Sequence, residues 1–61
     1  MSEYIQIQFL DGAKNWRTSV SCVINNEQFI NKEMSMLKRM YPNYRVRAIG
    51  QTSKKIYDML S

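Results

Sequence analysis

One amphipathic helix dominates the hydrophobic pattern of the chain. Its apolar residues recur every three to four positions, and on a helical wheel the later ones fall within about 40° of the first, which is typical of a buried stripe: Ile30, Met34, Leu37 and Tyr41. Asn25 suits the N-cap position, with Gln28 at the capping-box position three residues later. Pro42 disfavours helical geometry at the preceding residue, so the helix is predicted to end there.

A second apolar row runs along the same helix, roughly 80 to 120° round from the first. It consists of Phe29, Met36 and Met40, with Glu33 between the two rows. Either both rows form one broad core face with Glu33 at its edge, or the second row is a contact surface for a second copy or another protein. No cation lies three or four positions from Glu33. If Glu33 is buried, its partner must be a cation, most naturally an arginine, of a strand or a second subunit.

The segment before the helix has the pattern of a β-hairpin. Residues 4–9 alternate apolar and polar, Asp11-Gly12 is a turn signal, and residues 15–24 alternate again. This alternation places Trp16 and Cys22 on the apolar side of the second strand, so both are predicted to pack in the core. Residues 19–24 also fit helical spacing, which leaves open a backward extension of the helix. If the hairpin register slips by one residue, Trp16 becomes exposed beside the arginines.

A second hairpin is predicted after the helix. Residues 44–49 alternate so that Arg45 and Arg47 point away from the core, and residues 50–53 form a loop. In the last strand, residues 55–60, Ile56 and Leu60 are predicted to face the core, opposite Lys55 and Tyr57. The order is β-β-α-β-β, which predicts an α+β fold: a single two-layer domain over residues 1–61, with one helix on a mainly antiparallel sheet.

Composition limits the chemistry that this chain can perform. Sixty-one residues allow one modest core and no deep cleft. There is one cysteine and no histidine, so an internal disulfide is impossible, and no metal, cofactor or catalytic constellation is recognisable. We therefore expect no enzymatic activity. The chain has no run of 18 apolar residues and no signal-peptide pattern at its start, so a cytoplasmic protein with no membrane partner is expected.

Charge suggests a binding surface instead. Nine Lys and Arg against five Asp and Glu give a net charge of +4, which favours polyanions or acidic proteins. The alternation gathers cations and an aromatic ring on the sheet face away from the helix: Arg17, Arg45, Arg47, Lys55 and Tyr57. Such a face suits an acidic protein or a nucleic acid, or is simply solvated. Arg45 and Arg47 are expected to carry binding without supporting the fold.

The chain also resembles a group of known proteins. The WRT sequence at residues 16–18, the Asn pair before the helix, the regularly spaced Met residues, and RVRAI followed by an Asp-Met-Leu ending are similar to small uncharacterised bacteriophage-encoded proteins, over residues 14–60. The resemblance implies a phage accessory protein in the host cytoplasm. The leading hypothesis is a non-enzymatic regulator or inhibitor that binds a host protein. The alternatives are direct DNA or RNA binding and a small self-assembling structural subunit.

Overall fold

The fold has one helix lying on one face of a four-stranded antiparallel sheet. A computed structural model describes residues 3–60. The elements along the chain are β1 (Ile5–Leu10), β2 (Trp16–Val23), α1 (Glu27–Met40), β3 (Val46–Gly50) and β4 (Ile56–Leu60). The strands follow the order β2-β1-β3-β4 across the sheet. The predicted α+β class and element order are confirmed. Nowhere in residues 3–60 is a helix long and apolar enough to cross a membrane.

The helix begins one residue later than the capping pattern of the sequence predicted. Asn26, not Asn25, is the N-cap, and its side-chain oxygen accepts a hydrogen bond from the Gln28 amide at 2.9 Å. At the other end the Tyr41 amide donates to the Leu37 carbonyl at 2.9 Å, and the helix ends before Pro42. Glu27 in the first turn and the two cations of the last turn complement the helix dipole.

The core lies between α1 and the sheet, and its buried members are Ile5, Ile7, Val23, Ile30, Met34, Leu37, Val46 and Ala48. It takes up three residues of the first apolar row. The fourth, Tyr41, was predicted to be buried with them, but it follows the helix end and is 37% exposed. The second row stays outside, because Phe29 is 50% exposed, Met36 51% and Met40 67%. The interpretation of both rows as one broad core face is therefore wrong, since a single small sheet offers a contact surface to one side of the helix only.

Strand β2 is irregular, and this irregularity corrects two predictions. The strand continues to Val23, so residues 19–24 do not extend the helix. Ile7 pairs with Val20 and Ile5 with Val23, while the next pair beyond Ile7 joins Gln8 to Thr18, so β2 contains extra residues at two positions. At one of them Cys22 adopts a left-handed φ of 58°. Cys22 is consequently exposed and not a packed thiol.

The bulge between Val20 and Thr18 decides which face of the sheet the first residues of β2 occupy. Val20 pairs with Ile7 on the core side, but beyond this bulge Arg17 pairs with Phe9, on the helix side, and Trp16 pairs with Leu10, on the opposite side. The core prediction for Trp16 is thus wrong, and the alternative of a shifted register is correct. Each inserted residue reverses the side-chain alternation of the strand beyond it relative to β1.

A bulge in β4 has a similar effect on the last strand. Leu60 pairs with Val46 on the core side as predicted, but Ile56 pairs with Ile49 on the face away from the helix and is 49% exposed. Tyr57 lies on the helix side, where it lines a shallow depression together with Ile30. The predicted sides of Ile56 and Tyr57 are therefore reversed, because the register shifts between their pairs and those nearer the strand end.

Candidate binding face

The sheet face opposite the helix is the main candidate site, and we call it the open face. No other element of residues 3–60 covers it. The strand pairings place nine side chains on it: Gln6, Gln8, Leu10, Trp16, Thr18, Arg47, Ile49, Ile56 and Met59. Arg45 adjoins it at the start of β3, where its carbonyl accepts a hydrogen bond from the Leu10 amide at 2.8 Å.

A row of side chains that stack on or hydrogen-bond to one another crosses the centre of the open face. The Arg47 guanidinium carbon lies 4.0 Å from the centroid of the Trp16 ring, in cation–π geometry. Arg47 Nε donates to Gln8 Oε1 at 2.8 Å, and Gln8 Nε2 donates to Thr18 Oγ1 at 3.1 Å. These contacts join β3, β1 and β2 and fix the plane of the guanidinium. Partial burial lowers the pKa of Arg47 below its usual value, but the side chain remains charged at neutral pH.

The guanidinium of Arg47 is held in place and still has donors to offer. A guanidinium carries five N–H groups. Within residues 3–60, Nε is the only one of its nitrogens with a protein acceptor. Arg45 is exposed and has no ion pair with any described residue. Two arginines of the same strand region are thus available to a carboxylate or phosphate: Arg47, which is held by its contacts, and Arg45, which is exposed.

The β4 end of the open face is apolar. Ile49 is 7% exposed yet is not part of the core under the helix, because it lies on the other side of the sheet. Beside it Ile56 is 49% exposed and Met59, opposite Arg47, is 40% exposed. The open face therefore combines a cationic and aromatic centre with an apolar margin.

Three of the five predicted binding residues lie away from the open face. Arg17 is on the helix side and forms an ion pair with Asp11, whose pKa is lowered by Arg17 and by the Asn15 amide. Lys55 Nζ lies 5.4 Å from the ring centroid of Tyr57, which faces the helix side. The prediction that all five residues share one face is therefore wrong, and only Arg45 and Arg47 remain together. The bulges in β2 and β4 account for the separation.

A carboxylate clamp at the N-terminal end of the described chain was not foreseen from the sequence. The Glu3 carboxylate accepts hydrogen bonds from the amides of Thr52 and Ser53 at 2.9 and 2.8 Å, from the Ser53 hydroxyl at 2.6 Å and from the Tyr57 hydroxyl at 2.9 Å. The Ser53 donors lower the pKa of Glu3 to about 2, and the same carboxylate raises the pKa of Tyr57. Tyr57 is thus engaged within the fold.

The acidic residues lie away from the open face. Glu3, Asp11 and Asp58 are on the helix side of the sheet, and the remaining two of the five acids, Glu27 and Glu33, are on α1. Glu33 is half-buried, and the one ion pair among residues 3–60 is that of Arg17 with Asp11. The cation predicted for Glu33 is therefore not supplied by the described part of its own chain.

Neither a metal group nor a relative points to another site. In the described part of the chain, no three His, Cys, Asp or Glu side chains are grouped so that they could hold a metal ion. Comparison with protein-family models, with curated proteins and with solved structures returned no match. The geometry of the open face and of the helix is therefore the basis for inferring the function.

Proposed function

We propose that this protein is a non-enzymatic binding protein that docks an acidic protein partner on the open face. The observation that carries the proposal is the Arg47–Trp16 stack at the centre of a face that contains none of the five acidic residues. Arg45 adds a second cation, and the exposed parts of Ile56 and Met59 add apolar area beside it.

The composition of the open face favours a protein over a nucleic acid. Trp, Arg and Met are enriched at the centres of protein interfaces, where a few such residues carry most of the binding free energy. A nucleic acid needs a row of cations along its phosphates, and single strands are usually stacked on several aromatic rings. Among the residues that the strand pairings place on the open face, only Trp16 is aromatic, and the β4 end is apolar.

The rigidity of Arg47 gives the proposed contact its specificity. Stacking on Trp16 and the bond to Gln8 hold the guanidinium plane in place before any partner arrives. A partner carboxylate can then accept two parallel N–H bonds from the free edge, with little loss of side-chain entropy. Lysine at this position would keep the charge but lose the bidentate geometry.

The resemblance to phage accessory proteins supplies the biological setting of the proposal. A phage protein of this size acts in the host cytoplasm, and a binding face without catalytic groups regulates or inhibits its partner by covering part of it. Nucleic acid remains the second candidate, because Trp16, two arginines and two glutamine amides are also groups that contact single strands.

Selection from a displayed random peptide library tests the proposal with a defined probe. Wild type should enrich peptides that combine acidic and apolar residues. Arg47→Lys and Arg45→Ala should each weaken binding of a selected peptide by about tenfold. Arg39→Ala, which removes a cation of the helix, is the matched control and should leave the affinity unchanged.

The same variants are titrated with fluorescent single-stranded DNA and RNA oligonucleotides at several salt concentrations. Tight oligonucleotide binding with a steep salt dependence that becomes shallower in Arg45→Ala, together with no peptide enrichment, would replace the proposed partner by nucleic acid. Binding of neither probe would exclude the open face as a site for either class.

A further inference from the structure

Four hydrogen-bond donors converge on the Glu3 carboxylate at the turn between β3 and β4, and we call these donors the anion nest. They are the amides of Thr52 and Ser53, the Ser53 hydroxyl and the Tyr57 hydroxyl. The amides donate to one carboxylate oxygen at 2.9 and 2.8 Å, and the hydroxyls donate to the other at 2.6 and 2.9 Å. Each oxygen thus accepts two hydrogen bonds. Successive backbone amides that point at one acceptor are typical of anion-binding turns.

A glycine forms the floor of the anion nest. A Cβ at Gly50 would lie 2.6 Å from the carboxyl carbon of Glu3, so the anion fits only because this residue has no side chain. Lys54 and Lys55 directly follow the two donor amides, are exposed, and form no ion pair within residues 3–60. The turn therefore combines a gap that fits an anion, donors that point into it and two cations that attract an anion from solution.

The anion nest is held in shape by hydrogen bonds in which Glu3 takes no part. The Lys54 amide donates to the Gly50 carbonyl at 2.9 Å, and the Gly50 amide donates to the Lys55 carbonyl at 2.7 Å. The Lys55 amide donates to the Ser53 hydroxyl at 3.2 Å. Tyr57 belongs to β4, which pairs with β3. The donors should therefore keep their positions when the Glu3 carboxylate leaves, and they then need another acceptor.

The Glu3 side chain is not built into the core and can leave the anion nest. Glu3 lies two positions before β1, which begins at Ile5, and it is only partly buried. Its carboxylate forms no ion pair within residues 3–60, so the nest donors are what hold it. When it leaves, the chain loses these hydrogen bonds and no apolar core contact.

We propose that the anion nest is a binding site for a carboxylate ligand and that Glu3 blocks this site in the resting protein. The ligand is a carboxylate because the nest presents two donors to each of two oxygens, as it does to Glu3. An incoming carboxylate displaces Glu3 and takes over its four hydrogen bonds. It competes with a tethered group whose effective concentration is millimolar or higher, so the resting protein binds free carboxylates weakly. Removing Glu3 opens the site.

Acetate titration of Glu3→Ala, followed by backbone amide resonances in NMR, tests the proposal. The Thr52 and Ser53 resonances should shift with a dissociation constant in the millimolar range, and wild type should need at least tenfold more acetate for the same shift. Ser53→Ala in the Glu3→Ala background removes one donor and should weaken acetate binding by about tenfold. Ser19→Ala in the same background is the matched control: it removes an exposed serine of β2 and should leave the affinity unchanged.

Further titrations separate a carboxylate site from a general effect of salt. Chloride at the same ionic strength should leave the Thr52 and Ser53 resonances in place, and phosphate should bind more weakly than acetate. Tighter binding of phosphate, or equal acetate affinities of wild type and Glu3→Ala, would overturn the proposal.

Glu3→Gln is a second variant, which keeps the length of the side chain and removes its charge, and it should also bind acetate more tightly than wild type. Circular dichroism shows whether each variant is folded. In a folded variant, unshifted Thr52 and Ser53 resonances at several hundred millimolar acetate would overturn the proposal. Loss of folding in both variants would do the same, because Glu3 would then be part of the fold and not an exchangeable occupant. The anion nest lies beyond the Gly50 end of β3, and Arg45 and Arg47 lie at its other end, so this result is independent of the function proposed above.

Discussion

Replacing Arg47 by alanine should destabilise the fold, although Arg47 lies on the outer side of the sheet. The sequence predicted that neither Arg45 nor Arg47 supports the fold. The structure separates them, because Arg47 stacks on Trp16 at 4.0 Å and donates to Gln8 at 2.8 Å, while Arg45 is exposed without an ion pair in residues 3–60. Arg47 thus links three strands, and its removal affects all of them.

The size of the effect follows from the two contacts. A cation–π contact at a partly exposed site contributes about 0.5–1 kcal/mol. A hydrogen bond from a charged donor contributes about 1 kcal/mol more when solvent still reaches it. The sum of about 1–2 kcal/mol is a large fraction of the roughly 3–9 kcal/mol expected for a domain of this length. The melting temperature should fall by about 5–15 °C.

Thermal and urea unfolding followed by circular dichroism measure the change. Arg45→Ala is the matched control and should shift the free energy of unfolding by no more than about 0.5 kcal/mol. A double-mutant cycle with Trp16→Leu should give a coupling free energy of about 0.5–1 kcal/mol between Arg47 and Trp16. Equal effects of the two alanine variants, or strict additivity with Trp16→Leu, would refute the reasoning.

Three further predictions concern other parts of the molecule. The pKa of Glu3 is lowered from 4.5 to about 2. The ionised carboxylate therefore stabilises the fold above pH 4.5, and this stabilisation is lost as the pH falls through about 2. The melting temperatures of wild type and Glu3→Gln should converge over that pH interval. A Cβ at Gly50 would lie 2.6 Å from the Glu3 carboxyl carbon, so Gly50→Ala should lower the melting temperature, and less so in a Glu3→Ala background. Cys22 is exposed, so it should react with a thiol reagent in the native state about as fast as in urea. Its φ of 58° suits glycine, so Cys22→Gly should melt no lower than wild type.

The parts of the fold that depend on local pattern could be predicted from the sequence. The buried row of α1 follows from the helical period, and the helix end follows from Pro42. The turn after β1 follows from Asp11, whose carboxylate accepts from the amides of Ala13 and Asn15 at 2.9 Å each. Each of these features depends on residues only a few positions apart, so one sequence is enough to find them.

The composition of the open face could not be predicted, because it depends on where β2 and β4 bulge. Alternation places side chains correctly only while each residue has one partner across the ladder. Cys22 takes a left-handed conformation without being Gly or Asn, so no residue type marks this bulge. The other bulge of β2, between Val20 and Thr18, places Trp16 on the open face. The Glu3 clamp was missed for a related reason, since its donors lie about fifty residues away in the sequence.

The exposed apolar row of α1 is the feature of this sequence that folding alone explains least. Residues 30, 34 and 37 are buried and suffice to anchor the helix, and polar residues on the flank would leave this contact unchanged. Large apolar side chains in water add nothing to the stability of the monomer and raise its tendency to aggregate. Phe29, Met36 and Met40 are nevertheless more than a third exposed, on the flank where Glu33 has no cation of its own. A contact that covers these residues and supplies a cation accounts for both observations.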